Sequence, residues 1–171
     1  MSQANLFVSS GLFVPSVTLF RTMGDLLVTV DARKTLYDDS LLSSLKFWRL
    51  DPQTAVYRLS AQMDSPHQHF RLTDISLSIN PFTCASASVD GTVKVWKGSS
   101  SNNSNNSLDW KCSYSFRYRD CPVTSLCFSS DGSVMVVAHQ NLCSIWDPVR
   151  LLTSSSILTY IYRLYVTSVI V

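Results

Sequence analysis

Three tryptophans, each closing a short alternating segment, recur at almost even spacing along this chain. They follow Leu-Lys-Phe, Val-Lys-Val and Cys-Ser-Ile, and lie at Trp48, Trp96 and Trp146, in steps of 48 and 50 residues. A fixed period of roughly 20–50 residues is typical of repeat architectures. A short strand that ends in tryptophan at such a period is typical of the blades of a β-propeller. The pattern therefore predicts an all-β chain made of repeated antiparallel sheets.

The length of 171 residues limits how many blades the chain can hold. At about 45 residues per blade it accommodates about three blades of four-stranded antiparallel sheet, whereas closed propellers have roughly 4–8. We therefore expect a partial β-propeller, either part of something larger or an incomplete gene product. The 12 acidic residues are all aspartates, which fits a turn-rich chain because aspartate favours turns and glutamate favours helix interiors.

Blade-like units fill a partial propeller that we expect to span residues 1–148. The units cover about 15–48, 55–97 and 108–147, and a Ser/Asn-rich run at 99–107 is predicted to be an inter-blade loop. In the second unit, Leu72 to Ile79 alternates a polar set that includes Asp74 with a more apolar set, which predicts a half-buried strand. The dipeptide Asp90-Gly91 predicts a tight turn between two later strands.

The segment 149–171 lies outside the repeat pattern, and three interpretations of it stay open. Its length would permit a membrane span, but its seven Ser or Thr residues and Arg163 argue against one. A membrane partner is therefore not expected. The other two interpretations are a further β-strand region and sequence foreign to the natural fold.

The composition points away from catalysis. The sequence contains no P-loop, no Gly-x-Ser-x-Gly elbow and no His-Glu-x-x-His helix motif. Its five cysteines form no Cys-x-x-Cys pair, and Cys84, Cys127 and Cys143 are expected to be reduced, buried residues in strands. We therefore predict no catalytic residues, no metal site, no cofactor and no small-molecule substrate.

The best candidate for a nucleic-acid contact lies near residue 118. On a strand, Arg117 and Arg119 would point the same way, so both could contact phosphates while Tyr118 offers a stacking surface. The simpler interpretation is an outer strand with solvated charges. The net charge of +2 is too small to imply nucleic-acid binding by itself.

The run from Phe82 to Trp96, Phe-Thr-Cys-Ala-Ser-Ala-Ser-Val-Asp-Gly-Thr-Val-Lys-Val-Trp, closely resembles the core of a WD repeat, and Trp146-Asp147 supplies the Trp-Asp ending of the next repeat. WD repeats often contain a buried structural network of His, Ser, Asp and Trp. The resemblance places this network at His67, Ser86, Asp90 and Trp96. His69 competes with His67 for the first position. The other two units lack parts of the set, so we expect apolar packing alone to hold them.

Segments between the blades narrow the resemblance. Asp-Ser-Pro-His at 64–67 and Asp-Trp-Lys-Cys at 109–112 are similar to those of nucleolar WD-repeat proteins of the small-subunit processome, and the similarity covers roughly residues 15–148. It implies a non-catalytic scaffold of the nucleus and nucleolus, supporting pre-rRNA processing, ribosome biogenesis and rDNA transcription by RNA polymerase I. The implied partners are other processome WD-repeat subunits and pre-ribosomal RNA. The alternatives are a generic WD-repeat adaptor in another complex and a non-functional truncated fragment.

Overall fold

The computed structural model describes residues 16–34, 41–79, 82–100, 108–140, 142–148 and 160–162. Within these ranges the chain forms twelve strands in three four-stranded antiparallel sheets. In the same ranges no helix is long and apolar enough to cross a membrane. The predicted all-β architecture, a partial propeller of about three blades, is confirmed.

Each sheet consists of four strands that are consecutive in the chain. Sheet 1 contains β1 (Ser16–Met23), β2 (Leu26–Lys34), β3 (Leu41–Asp51) and β4 (Val56–Asp64). Sheet 2 contains β5 (Leu72–Ile79), β6 (Phe82–Ser88), β7 (Thr92–Ser100) and β8 (Leu108–Arg117). Sheet 3 contains β9 (Val123–Phe128), β10 (Met135–His139), β11 (Cys143–Trp146) and β12 (Tyr160–Tyr162).

The sheets are offset by one strand from the sequence units. The sequence places β4 in the 55–97 unit, but β4 pairs with β3 and so belongs to sheet 1. In the same way, β8 pairs with β7 rather than with the strands of the 108–147 unit. Because a further strand follows each tryptophan in its sheet, tryptophan marks the third strand of a blade and not its end.

In the C-terminal segment, three residues fit one of the open interpretations, a further β-strand region. Tyr160–Tyr162 pairs with Cys143–Ile145 as the fourth strand of sheet 3, so this portion of 149–171 continues the repeat pattern. The rest of that segment lies outside the described residues. The same holds for residues 101–107 of the predicted inter-blade loop, whereas Ser99 and Ser100 are the end of β7.

Neighbouring residues of a strand point to opposite faces of its sheet. The apolar core lies where the faces of two adjacent sheets meet. The cluster between sheets 1 and 2 contains Leu26, Val28, Val30, Leu45, Phe47, Leu72, Ile75, Leu77, Cys84, Trp96 and Trp110. The cluster between sheets 2 and 3 contains Ala85, Ala87, Val93, Val95, Val123, Leu126, Met135, Val137 and Trp146. Sheet 2 is therefore buried on both faces, which explains the nearly uninterrupted small and apolar residues of β6.

Aromatic contacts join the sheets at both interfaces. Phe47 of sheet 1 stacks on Trp110 of sheet 2, with ring centroids 4.1 Å apart. Phe116 of sheet 2 meets Trp146 of sheet 3 at 4.0 Å. A Cβ atom on Gly98 would lie 3.0 Å from the Trp110 ring, so the absence of a side chain at Gly98 leaves room for this indole.

The expectation of three buried cysteines holds for one of them. Cys84 is buried, and burial raises the pKa of its thiol. Cys127 is exposed and Cys143 is half-buried. Their neighbours Leu126 and Ser144 are buried, and strand alternation therefore turns both cysteines to the opposite face of sheet 3. No sheet among the described residues covers that face.

Candidate functional site

Each of the three repeat tryptophans donates its indole N–H to a hydroxyl of its own sheet. The pairs are Trp48 with Thr29 (3.0 Å), Trp96 with Ser86 (2.9 Å) and Trp146 with Ser144 (2.7 Å). A buried indole N–H needs an acceptor, since leaving it unpaired costs free energy. The expectation that the first and third units rely on apolar packing alone is therefore wrong.

In sheet 2, the hydroxyl of Ser86 joins His67 and Trp96 into one buried network. His67 Nε2 lies 2.8 Å from Ser86 Oγ, and His67 is 3% exposed. Burial is the main cause that lowers the pKa of His67 to about 4; nearby Lys94 lowers it further, and Asp90 opposes the shift. His67 is therefore neutral near pH 7. His69, the other candidate for the histidine of this network, is exposed, so His67 is the residue that occupies this position before β5.

Asp90, the fourth residue expected in this network, is bonded to other groups. Its Oδ1 accepts a hydrogen bond from the Thr92 N–H at 3.0 Å, and its Oδ2 accepts from Thr92 Oγ1 at 2.6 Å and Arg117 Nη2 at 3.0 Å. Burial raises the pKa of Asp90, but hydrogen bonds from Thr92 and Ser88 are among the effects that together outweigh it, and the net shift is downward. His67 Nδ1 is buried without a hydrogen-bond partner. The structure thus brings together His67, Ser86 and Trp96, and Asp90 braces the turn beside them.

Sheet 3 builds a similar network from different positions. Val137 pairs in register with Ser144, so an apolar residue stands where sheet 2 has Ser86, and the hydroxyl comes from the strand opposite. His139 Nε2 lies 3.3 Å from Ser144 Oγ, and its Nδ1 lies 3.2 Å from the carbonyl oxygen of Cys121. Sequence reasoning missed this network. The available signal was the serine two residues before Trp146, since that spacing puts both side chains on one strand face.

Asp74 on β5 links all three sheets. Its Oδ1 accepts a hydrogen bond from Arg21 Nη2 of β1 at 2.9 Å. Its Oδ2 accepts from Ser125 Oγ at 2.6 Å and from the Leu126 N–H at 3.0 Å, both on β9. The Asp74 side chain is 8% exposed. One buried carboxylate therefore sets the position of the first strands of the three sheets relative to one another.

The candidate nucleic-acid residues do not share a strand face. β8 ends at Arg117, and Arg119 follows in a turn with a φ of 48°. The guanidinium carbon of Arg119 lies 5.2 Å from the centroid of the Tyr118 ring. That ring also lies 5.8 Å from His139 and packs on the core between sheets 2 and 3. The predicted parallel alignment of Arg117 and Arg119 is therefore wrong, because the strand ends between them.

The described residues hold no group of three or more His, Cys or Asp that could bind a metal ion. The polar side chains instead form pairs and trios that satisfy buried groups and brace turns. Such networks rigidify a sheet and fix the loops that the sheet carries. The polar networks of the described residues therefore have a structural role.

The family described as WD repeat-containing protein 75 second beta-propeller matches residues 9–157. WD repeat-containing protein 75 of Homo sapiens is 29% identical over 135 residues, which covers 76% of this chain and 16% of that protein. Protein transport protein SEC13 of Chaetomium thermophilum is 28% identical over 108 residues, which covers 61% of this chain and 33% of that protein.

The architecture also matches a solved structure. The crystal structure of the Myceliophteria thermophila Cps50 (Swd1) beta-propeller domain aligns with a TM-score of 0.54 at 16% sequence identity, covering 90% of this chain and 41% of that one. This likeness shows the propeller fold. The chain spans 16% of the length of the human relative, and the family match takes in most of the chain. By this match, the chain belongs to the WD repeat-containing protein 75 second beta-propeller family.

Proposed function

We propose that this chain is a non-catalytic scaffold segment of the nucleolar small-subunit processome, where it supports pre-rRNA processing, ribosome biogenesis and rDNA transcription by RNA polymerase I. The observation that carries the proposal is the family match over residues 9–157, together with inter-blade segments similar to those of nucleolar WD-repeat proteins. Its partners would be other processome WD-repeat subunits and pre-ribosomal RNA, and its location the nucleus and nucleolus.

The packing of the sheets agrees with a scaffold role. Repeat sheets that contact only their neighbours form extended surfaces, and the buried networks at Ser86, Ser144 and Asp74 hold those surfaces in fixed positions. A WD-repeat propeller is typically a non-enzymatic scaffold. Binding energy from such a surface comes from several loops and strand edges, so the loss of one contact should weaken assembly only in part.

The test is to tag the protein at either end in cells, locate it, and isolate its complexes at low and high salt. The proposal predicts a nucleolar signal and recovery of pre-rRNA and processome WD-repeat subunits, with RNA recovery falling as salt rises because phosphate contacts are screened. Depletion should slow early pre-rRNA processing. A diffuse cytoplasmic signal with both tags would contradict the proposal.

A second candidate function is a WD-repeat adaptor in a different complex, which the likeness to the protein transport protein SEC13 favours. Treatment of the isolated complexes with RNase separates the two candidates. A processome subunit should lose part of its partners together with the RNA, whereas an adaptor of another assembly should keep an RNase-insensitive set of non-nucleolar proteins. Recovery of neither set would contradict both candidate functions.

A further inference from the structure

Two exposed apolar residues lie on adjoining loops of sheet 2. Phe70 is 46% exposed and Val89 is 39% exposed. The Val89 N–H donates to the carbonyl oxygen of Arg71 at 3.0 Å, which joins the segment 65–71 to the β6–β7 turn. A single exposed apolar residue is ordinary, but two on adjoining loops that no described element covers form a candidate contact surface.

Arginines border this apolar pair. Arg71 is exposed and makes no ion pair with any residue that the structure describes. Arg117 reaches the β6–β7 turn through Asp90 at 3.0 Å. A Cβ atom on Gly91 would lie 2.8 Å from the carbonyl oxygen of Cys121, so the turn also abuts the segment that carries Arg119. We refer to Phe70, Arg71, Val89, Arg117 and Arg119 as the arginine edge.

Among the described residues, the aspartates near this edge form ion pairs with Arg117 but not with Arg71 or Arg119. Asp90 and Asp120 both lie within ion-pair distance of Arg117, at 3.0 and 3.5 Å. Among the described residues, Arg71 and Arg119 have no carboxylate within ion-pair distance. Their planar guanidinium groups suit carboxylates, which they can bind through two parallel hydrogen bonds. The edge therefore combines an apolar contact with two available cations.

The loop that carries Phe70 is held in place before any partner binds. The Ser65 N–H donates to the carbonyl oxygen of Ser43 at 2.8 Å, the Gln68 N–H to Ser65 at 2.9 Å and the Phe70 N–H to His67 at 3.1 Å. His67 is itself bonded to Ser86 in the core. A surface ordered in advance loses little conformational entropy on binding, which favours recognition of a short segment.

We propose that the arginine edge binds an extended acidic peptide segment that carries a bulky apolar side chain. The apolar side chain would cover Phe70 and Val89, and carboxylates on either side would bind Arg71 and Arg119. Single-stranded RNA fits less well, because the Tyr118 ring is already packed between Arg119 and His139. Phe70 is then the one aromatic ring of the edge that a base could stack on, and Val89 offers no second stacking face. The proposal concerns purified components and does not rest on the processome assignment.

Fluorescence anisotropy with the full chain tests this proposal. The probe is a labelled peptide of about eight residues that alternates aspartate with leucine or phenylalanine, and its matched control replaces aspartate by lysine. We expect saturable binding of the aspartate peptide and at least about tenfold weaker binding of the lysine peptide. Phe70→Ser, and separately the double variant Arg71→Ser/Arg119→Ser, should each weaken binding by about tenfold.

Phe20→Ser is the matched control, because Phe20 is 63% exposed but lies on β1 of a different sheet. It should leave the affinity unchanged, and thermal melts should show all variants folded. Lack of saturable binding to the aspartate peptide would overturn the proposal, as would equal losses from Phe20→Ser and Phe70→Ser. Binding of a labelled oligouridine that is lost in Arg71→Ser/Arg119→Ser, without peptide binding, would make the edge a nucleic-acid surface instead.

Discussion

His67 makes the stability of the fold depend on pH. Its pKa is about 4 in the folded protein, mainly because of burial, against a value near 6.5 in an unfolded chain. Between these values the unfolded chain binds a proton that the folded protein does not, so the free energy of unfolding falls as the pH falls. The contribution of His67 is fully present above about pH 6.5 and is lost by about pH 4, a change of about 3 kcal/mol.

Urea unfolding at pH 7 and pH 4.5 checks this prediction. His67→Gln should lose most of the pH dependence that His67 causes, although its stability at pH 7 will also fall because the bond to Ser86 changes. His69→Gln is the matched control, since His69 is exposed two residues away, and it should behave like the unsubstituted protein. The prediction is wrong if His67→Gln keeps the same difference between the two pH values.

At the level of single residues, the sequence identified members of the buried network, but it did not identify the groups to which Asp90 is hydrogen-bonded. His67, Ser86 and Trp96 could be selected because the Trp-ending run resembles a WD repeat, and they do meet in the structure. The partners of Asp90 could not be foreseen. One of them is Arg117, 27 positions away, and nothing in the local spacing indicates that the chain returns there.

Within a pair of neighbouring strands, the hydroxyl that accepts the tryptophan N–H can come from either strand. Thr29 and Ser86 lie in register with Lys46 and Lys94, respectively. In sheet 3 the order is reversed: Val137 stands in the hydroxyl position and Ser144 in the lysine position. Which strand supplies the hydroxyl is therefore free to vary, because the indole N–H needs an acceptor on its own face of the sheet and not on a particular strand.

Ser144→Ala should lower the free energy of unfolding by about 1–3 kcal/mol, because it leaves the Trp146 N–H and His139 Nε2 without their common partner. Chemical denaturation followed by tryptophan fluorescence would measure the loss. Ser86→Ala should cost a similar amount. Ser133→Ala is the control, since Ser133 is an exposed turn residue; equal effects from Ser144→Ala and Ser133→Ala would refute the structural role.

The sequence predicted most of the strand positions, but it did not predict which strands pair with one another. The alternation from Leu72 to Ile79 and the Asp90-Gly91 turn predict β5 and the β6–β7 hairpin, which the structure contains. The grouping of β4 and β8 was misassigned, because periodicity shows where a strand lies and not which strand it pairs with. Pairing depends on register and on faces that are buried only after the sheets assemble.

For the whole molecule, Asp74 has an effect beyond its own sheet. Asp74→Ala removes the acceptor shared by Arg21, Ser125 and Leu126, and should lower the free energy of unfolding by about 2–4 kcal/mol. Hydrogen exchange should show weaker protection at the adjoining strands of sheets 1 and 3. Asp131→Ala is the control because the bonds of Asp131 stay within one turn, and it should affect sheet 3 alone. Loss confined to sheet 2 after Asp74→Ala would contradict the linking role.

The number of sheets followed from chain length and tryptophan period, because both constrain any stack of repeats. The role of Asp74 in linking the sheets could not be predicted from chain length or tryptophan spacing. Alternation puts it on the polar face of a strand that the sequence predicts to be half-buried, yet it is buried between sheets. A single sequence gives no sign that the two neighbouring sheets will supply donors to one carboxylate, since those donors come from residues about 50 positions away on either side.

The hydroxyl that accepts the tryptophan N–H lies on β6 in sheet 2 but on β11 in sheet 3. Genetic recombination between these two repeats would therefore give two unequal products. A crossover that joins β9 and β10 to β7 and β8 would place Val137 opposite Lys94, so the indole of Trp96 would inherit no acceptor. The reciprocal crossover would place Ser86 opposite Ser144 and give Trp146 two. Duplications and deletions that break between the second and third strands should therefore give products of unequal stability, the one without an acceptor being less stable by about 1–3 kcal/mol, so the repeats are not interchangeable as units of inheritance.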